Sequence, residues 1–297
     1  NLVEAVPDAD HLSMVLPRDD DILPWPGLIL GVPILGIWYW VTNQYIVQRA
    51  LGARSLGDAQ RGALLGGFLK LLPVFIMVLP GAMAISVVPD LPNQDMVFPT
   101  LTATVLPAGL TGLVLAGLVA AIMSSVDSTL NSSSTLIVHD FMSVSERGVE
   151  QHRIRRLGSL TTLALMLVAI VWAPLIERFG GLWDYLQQAF SILVPPVVAI
   201  FLLGALSRRI SAQGAFLALL IGHALALGLF ILTQLGIWPL HFTVNVGLMT
   251  AVSVGLAFVL SGPAPELAKD APTIWRRAIV TDETSKGPAW ADLRLWS

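Results

Sequence analysis

Seven apolar stretches, each long enough to cross a bilayer as a helix, limit what this chain can become. They lie near 26–45, 62–88, 105–142, 157–176, 182–206, 213–235 and 243–261. A hydrocarbon core of about 30 Å takes about 20 apolar residues of helix to span. The stretches are rich in Leu and Ala and lack the period-two alternation of half-buried strands. Helices also satisfy their own backbone polar groups in lipid. The expected fold class is therefore an all-α membrane protein with about seven transmembrane helices. Charge content agrees, at 12% of 297 residues, where soluble domains carry about 25%.

The arginines then set an orientation. Arg49, Arg54 and Arg61 share one loop, Arg147, Arg153, Arg155 and Arg156 the next on that side, and Arg208 and Arg209 a third. The alternate loops hold Arg18 and Arg178, with no Lys or Arg between 89 and 104 or between 236 and 243. The positive-inside rule makes the arginine-rich loops cytoplasmic. Residues 1–25 are then an extracellular loop, 26–261 the transmembrane domain and 262–297 a cytoplasmic tail. Lys269, Arg276, Arg277, Lys286 and Arg294 in that tail agree, and its Trp290 and Trp296 suit a membrane interface. A multi-pass protein of the plasma membrane is expected. The chain opens on Asn1 without a signal peptide and reads as a fragment cut inside a loop. It has no cysteine, which excludes a disulfide framework and thiolate metal sites. No basic surface for nucleic acid is visible, and the lipid bilayer is the expected partner.

Polar residues inside apolar helices cost free energy and point to function. Four clusters qualify. In the third stretch, Ser124, Ser128, Asn131 and Thr135 recur on one helical face, flanked by Ser125, Asp127 and Ser132. Hydroxyls beside a carboxylate offer hard oxygen ligands to a hard cation. The alternative is packing, with small residues admitting a neighbouring helix and hydroxyls bonding back to the helix. Lys70, about 12 Å into the second stretch, either lines a site or snorkels to the surface. In the fifth stretch Gln187 and Gln188 precede Pro195 and Pro196. That pattern reads either as an interrupted helix at a mid-membrane site or as a kink with glutamines joining helices. In the first, Gly27, Gly31, Pro33 and Gly36 weaken a helix before Trp38, Tyr39, Trp40, Thr42, Asn43 and Gln44. Aromatic faces with amides can hold a sugar ring, and can equally form an interfacial belt. There is no metalloprotease motif, phosphate loop or nucleophile elbow. His139-Asp140 reads as a helix-end pair, so no enzyme is expected.

Ordered motifs carry a resemblance. These are LPWPGLI at 23–29, WYWVTNQYIVQR at 38–49, FLKLLP at 68–73 and FIMVLPG at 75–81, then SS at 124–125, LNSSSTL at 130–136, DYLQ at 184–187 and PP at 195–196. Together they resemble the sodium/glucose cotransporters of the sodium:solute symporter family. The resemblance implies a LeuT-like core of two inverted five-helix repeats, of which this chain supplies the second half. It implies a discontinuous first helix, with the N-terminal half of the same protein as the missing partner. It implies a sodium ion at the Ala121 carbonyl and the Ser124 and Ser125 hydroxyls, with Asp127 and Ser128 where some relatives hold a second sodium. Sugar contacts fall on Tyr39, Lys70 and Gln187. Tyr39 matches an inner-gate ring backed by Trp40, and Trp183 matches an outer-gate aromatic. Gly36 stands where relatives carry Thr or Asn. The implied activity is sodium-coupled symport of a glucose- or galactose-like sugar by alternating access, with no transport from this fragment alone. The rivals are a symporter for myo-inositol, another polyol, an organic acid or an amino acid, and a sensor or channel on the same scaffold.

Overall fold

The computed structural model describes residues 13, 15–88, 94–141, 151–176, 182–207 and 209–262. The outer loop through residue 12, the tail from residue 263 with Trp290 and Trp296, and Arg147, Arg178 and Arg208 lie outside the described residues. Described residues form helices and no strand, beyond one isolated bridge between Leu16 and Pro24. Seven helical segments are long and apolar enough to cross a membrane.

The first span is a chain of short pieces. Helix α1 (Trp25–Leu30) and α2 (Val32–Ile37) meet at Gly31, and a π-helical turn follows at Trp38–Thr42. Asn43 then leaves helical geometry, with φ −74° and ψ 111°, and its side chain accepts the Tyr45 amide to start α3 (Gln44–Leu51). An asparagine N-cap is a strong helix start. It ends the continuous helix that apolarity alone extends to residue 45. The second span breaks similarly. Helix α4 (Leu56–Leu69) stops at a turn at Lys70, a π-turn covers Val74–Val78, and α5 (Leu79–Val87) completes it. Pro73 and Pro80 cannot donate to the ladder, and wide turns accommodate the lost bonds.

After α6 (Val97–Val105) comes α7 (Ala108–Thr135), extended by a π-turn at Leu136–Phe141. Helix α8 spans Gln151–Ile176, so Arg153, Arg155 and Arg156 ride its first turns rather than a loop. Helix α9 (Leu182–Leu206) runs unbroken through Pro195 and Pro196, contrary to the expected loss of regularity. Both prolines are fully buried, and packing holds the helix where local sequence would interrupt it. Helices α10 (Ala212–Gln234) and α11 (Phe242–Ser261) complete the chain.

The contacts divide into two units. The first comprises Leu64–Leu182. Within it α7 packs on α8, and Ser134 donates its hydroxyl to the Gly158 carbonyl at 2.9 Å. Ser132, Ser134 and Val138 are buried there, while most apolar side chains of this unit are exposed.

The second unit comprises the described parts of Leu12–Ala63 and Trp183–Ser297. Its core is the seam of α10 and α11. Gly214, Ala218, Gly222 and Ala226 are buried every fourth residue on α10, opposite Met249, Ser253, Ala257 and Ser261 on α11. Small residues at this spacing let backbones approach closely in lipid. The Ser253 and Ser261 hydroxyls donate to Met249 and Ala257 carbonyls one turn back, at 2.7 and 2.6 Å, so the seam buries no unsatisfied hydroxyl. Helix α1 crosses the start of α11 equally closely. A Cβ on Gly27 or Gly31 would collide with Thr243, through its hydroxyl and its carbonyl respectively.

Candidate functional site

The second unit brings the span-one aromatic cluster against α9. Trp38 and Phe190 rings lie 4.7 Å apart at 47°. Tyr39 follows Trp38 in the π-turn, and Gln187 stands one helical turn before Phe190, on the same face. Tyr39 and Trp40 meet edge to face at 5.4 Å, and the Tyr39 and Tyr45 hydroxyls are 3.4 Å apart. Tyr39 and Gln187 are half-buried and Trp40 is exposed. A π-turn widens the helix by one residue, which swings this aromatic group away from the regular 100° progression. Gly36, one residue before Ile37 ends α2, has open space where a side chain would go. Trp183 sits in the first turn of α9, with its side chain outside the described residues.

Gln188 points elsewhere than Gln187. Its carbonyl oxygen accepts from Gln234 Nε2 at 2.6 Å, tying α9 to the end of α10. The two line a cavity of about 220 Å³ with Ser191, Thr233, His241 and Asn245. Asn245 is buried and satisfied, accepting from Trp238 Nε1 at 2.9 Å and donating to the Leu240 carbonyl at 3.3 Å. Trp38 belongs to the aromatic cluster that the sequence singles out, but none of Phe190, Gln234 or Asn245 stands out there as a site residue. Gln234 was legible as a lone amide closing an apolar helix. The aromatic pair had no local signal, because 152 residues separate its members.

The α10–α11 turn is electrostatically distinct. His241 caps α11, its Nδ1 accepting the Thr243 amide at 3.3 Å and lying 2.7 Å from the Thr243 hydroxyl. The ring also bonds the Asp21 backbone. An Nδ1 that accepts implies the neutral tautomer with hydrogen on Nε2. Burial holds this imidazole below its ordinary range, against the raising effects of that backbone bond and of the Asp20 and Asp21 charges. Asp20 itself is held below the usual carboxylate range because it accepts the Leu23 and Ile22 amides, at 2.9 and 2.8 Å.

The first unit carries the other candidates. Ala121, Ser124, Ser125 and Ser128 share one face of α7 by spacing. Ala121, Ser124, Ser125 and Asp127 are exposed, and Ser128 is half-buried. Ser128 donates to the Ser124 carbonyl at 2.8 Å, Thr129 to Ser125 at 2.9 Å and Thr135 to Asn131 at 2.8 Å. This back-bonding holds part of the hydroxyl face in helix-internal bonds. The oxygens on and beside this face are neutral hydroxyls with one carboxylate, all of them hard donors. Lys70 is exposed at the turn that ends α4. Tyr39 and Gln187 belong to the second unit; Lys70 and the α7 serines belong to the first.

Comparison with known proteins adds a direct finding. A family model described as the sodium:solute symporter family matches residues 3–222. Sodium/glucose cotransporter 4 of Mus musculus is 38% identical over 235 residues, covering 73% of this chain and 34% of the relative. Its Homo sapiens counterpart is 33% identical over 316 residues, covering 94% and 46%. Sodium/myo-inositol cotransporter 2 of Rattus norvegicus is 35% identical over 260 residues, covering 78% and 39%. The chain thus spans between a third and a half of the length of these curated relatives.

Proposed function

This chain belongs to the sodium:solute symporter family, a family of transporters rather than enzymes, and from that we propose that it forms the C-terminal part of a sodium-coupled symporter for a polyhydroxylated solute. Its seven apolar helices and its family make it an integral, multi-pass membrane protein. The observation that carries the substrate reading is the Trp38–Phe190 contact. It joins the segment bearing Tyr39 and Trp40 to the helix bearing Gln187. An aromatic face stacks on the apolar face of a sugar ring, and an amide supplies both a donor and an acceptor to hydroxyls. Lys70 is a further sugar contact in this reading, and Trp183 an outer gate. Sodium is carried as coupling cargo at the Ala121 carbonyl and the Ser124 and Ser125 hydroxyls, with Asp127 and Ser128 a second candidate position. The remaining ligands come from helices outside this chain, a reading supported by the share of the relatives it spans.

Coupling requires that sodium and solute each raise the other's affinity. Sodium bound on α7 favours the outward-open state, solute binds, and release follows opening at Tyr39. The arginine distribution supports a cytoplasmic side at the start of α8, and a plasma-membrane location is part of the same proposal. The open space at Gly36 and the kinship to a myo-inositol cotransporter favour a second solute, myo-inositol, over an organic acid or amino acid. Uptake of labelled glucose, galactose and myo-inositol by the complete transporter, driven by sodium or by potassium gradients, tests the whole reading. Sodium-dependent accumulation of at least one is expected. Solute-evoked current without accumulation would turn the reading toward a sensor or channel.

A further inference from the structure

His241 stands between two cavities of the second unit and lines both. One is the cavity of about 220 Å³ described above, where Gln188, Gln234 and Asn245 supply only uncharged polar groups. The other is a cleft of about 630 Å³ between the segment before α1, α1 itself and the α10–α11 turn. Arg18, Asp19, Asp20 and Asp21 line this cleft, and the rest of its wall apart from His241 is uncharged. Three carboxylates against one guanidinium leave the cleft acidic. The ring also ties three pieces of chain together. Its Nδ1 accepts the Thr243 amide at 3.3 Å and so caps α11. Its other nitrogen bonds the backbone at Asp21. Thr243 in turn is buried against α1, with its hydroxyl in the place of a Gly27 Cβ and its carbonyl in the place of a Gly31 Cβ. The outer segment, α11 and the first half of span one therefore meet at one imidazole and one threonine.

We propose that His241 is a proton-operated latch, which holds α1 on α11 while neutral and loosens that crossing when protonated. A neutral imidazole offers one acceptor and one donor, and this junction uses both; an imidazolium offers two donors. The Thr243 hydroxyl, 2.7 Å from Nδ1, can accept the new hydrogen, but the Thr243 amide loses its acceptor. A buried amide left without one is costly. Thr243 must then shift, and α1, which no Cβ separates from it, shifts with it. The cleft supplies the alternative arrangement, since Asp19, Asp20 and Asp21 attract an imidazolium there against the opposing charge of Arg18. From α9, α10 and α11 no charged group lines either cavity beside the ring. Burial lowers the proton affinity of the ring and prevails over the Asp20 and Asp21 charges, so the latch is closed near neutrality and opens on acidification. Helix α1 leads through Gly31 and α2 into the π-turn that bears Tyr39. The proton thereby acts on the span proposed to gate the solute, and in the orientation the arginines support it arrives from outside. That consequence rests on the transport reading; the latch itself does not.

Amide hydrogen exchange of the complete transporter in detergent, titrated from about pH 7.5 to about pH 5.5 and corrected for intrinsic rates, tests the latch. Acidification should speed exchange at least about threefold in both Trp25–Leu30 and the first turn of α11. His241→Asn keeps a capping side chain but cannot titrate, and should abolish the difference. Asp20→Asn keeps an oxygen for the Ile22 and Leu23 amides while removing a charge that favours the imidazolium, and should move the midpoint to lower pH. Acceleration confined to α11 would reduce the ring to a helix cap and overturn the latch. No acceleration, the same acceleration in His241→Asn, or an Asp20→Asn midpoint that stays or rises would overturn it as well. None of these readouts needs sodium or solute, so failure here leaves the solute assignment untouched. The transport consequence is read separately, as a solute KM that follows external pH in the native protein and not in His241→Asn. A flat native profile beside a working latch would overturn the link to Tyr39.

Discussion

Trp38 packs on Phe190 with ring centroids 4.7 Å apart and planes tilted by 47°, and this contact joins a π-turn in the first span to the first half of the fifth. Such a pair contributes about 0.5–1.5 kcal/mol beyond its buried area. Trp38→Ala should therefore raise the solute KM of the complete transporter by several-fold, with a smaller change in turnover. Trp38→Phe should restore most of the loss. A Trp38→Ala variant with unchanged KM would separate the contact from solute binding.

Gly36 invites the opposite change. A side chain added there meets no atom within 4 Å, so Gly36→Thr should fold normally and add one hydroxyl beside the aromatic cluster. A hydrogen bond contributes about 0.5–1.5 kcal/mol. Competition between labelled glucose and myo-inositol should shift by roughly threefold to tenfold, and an unchanged ratio removes position 36 from the site.

The α7 serines supply the sodium prediction. Ser125→Ala deletes one proposed ligand, while the helix bond that Thr129 makes to the Ser125 backbone carbonyl is kept. Half-maximal sodium concentration should rise, with solute affinity at saturating sodium nearly unchanged. Asp127→Asn tests the second candidate position through the sodium Hill coefficient.

His241 gives a pH dependence. The folded chain holds its imidazole neutral and below the ordinary value of 6.5. Between those two values the unfolded chain binds the extra proton, so its stabilising effect is complete above the ordinary value. That effect is lost as pH falls through the folded value. Thermal melting of the reconstituted protein should drop on acidification from about pH 8 to about pH 5. His241→Asn, which keeps a capping side chain, should flatten that component of the profile.

Gly31 tests the α1–α11 crossing. A Cβ there would run into the Thr243 carbonyl, which is backbone and cannot turn aside. Gly31→Ala should cost about 1–3 kcal/mol, as overpacking does, and lower the melting temperature. Gly228→Ala, at a helical position with open space, is the matched control.

Long apolar runs and the absence of a period-two pattern determined the helical membrane class by themselves, because a bilayer leaves a backbone of that hydropathy little other choice. Spacing alone also put Ala121, Ser124, Ser125 and Ser128 on one face, since a helix repeats every 3.6 residues wherever it sits. Local sequence decided only in part where the helices break. Asn43 ended one span by capping the next helix, whereas Pro195 and Pro196 ended nothing, because burial against neighbouring helices outweighed the two missing donors. Nor could it pair Trp38 with Phe190, Gln188 with Gln234, or Gly31 with Thr243. Those contacts join residues 46 to 212 positions apart in the chain, and only the packing of whole helices against one another selects among the partners that sequence leaves open.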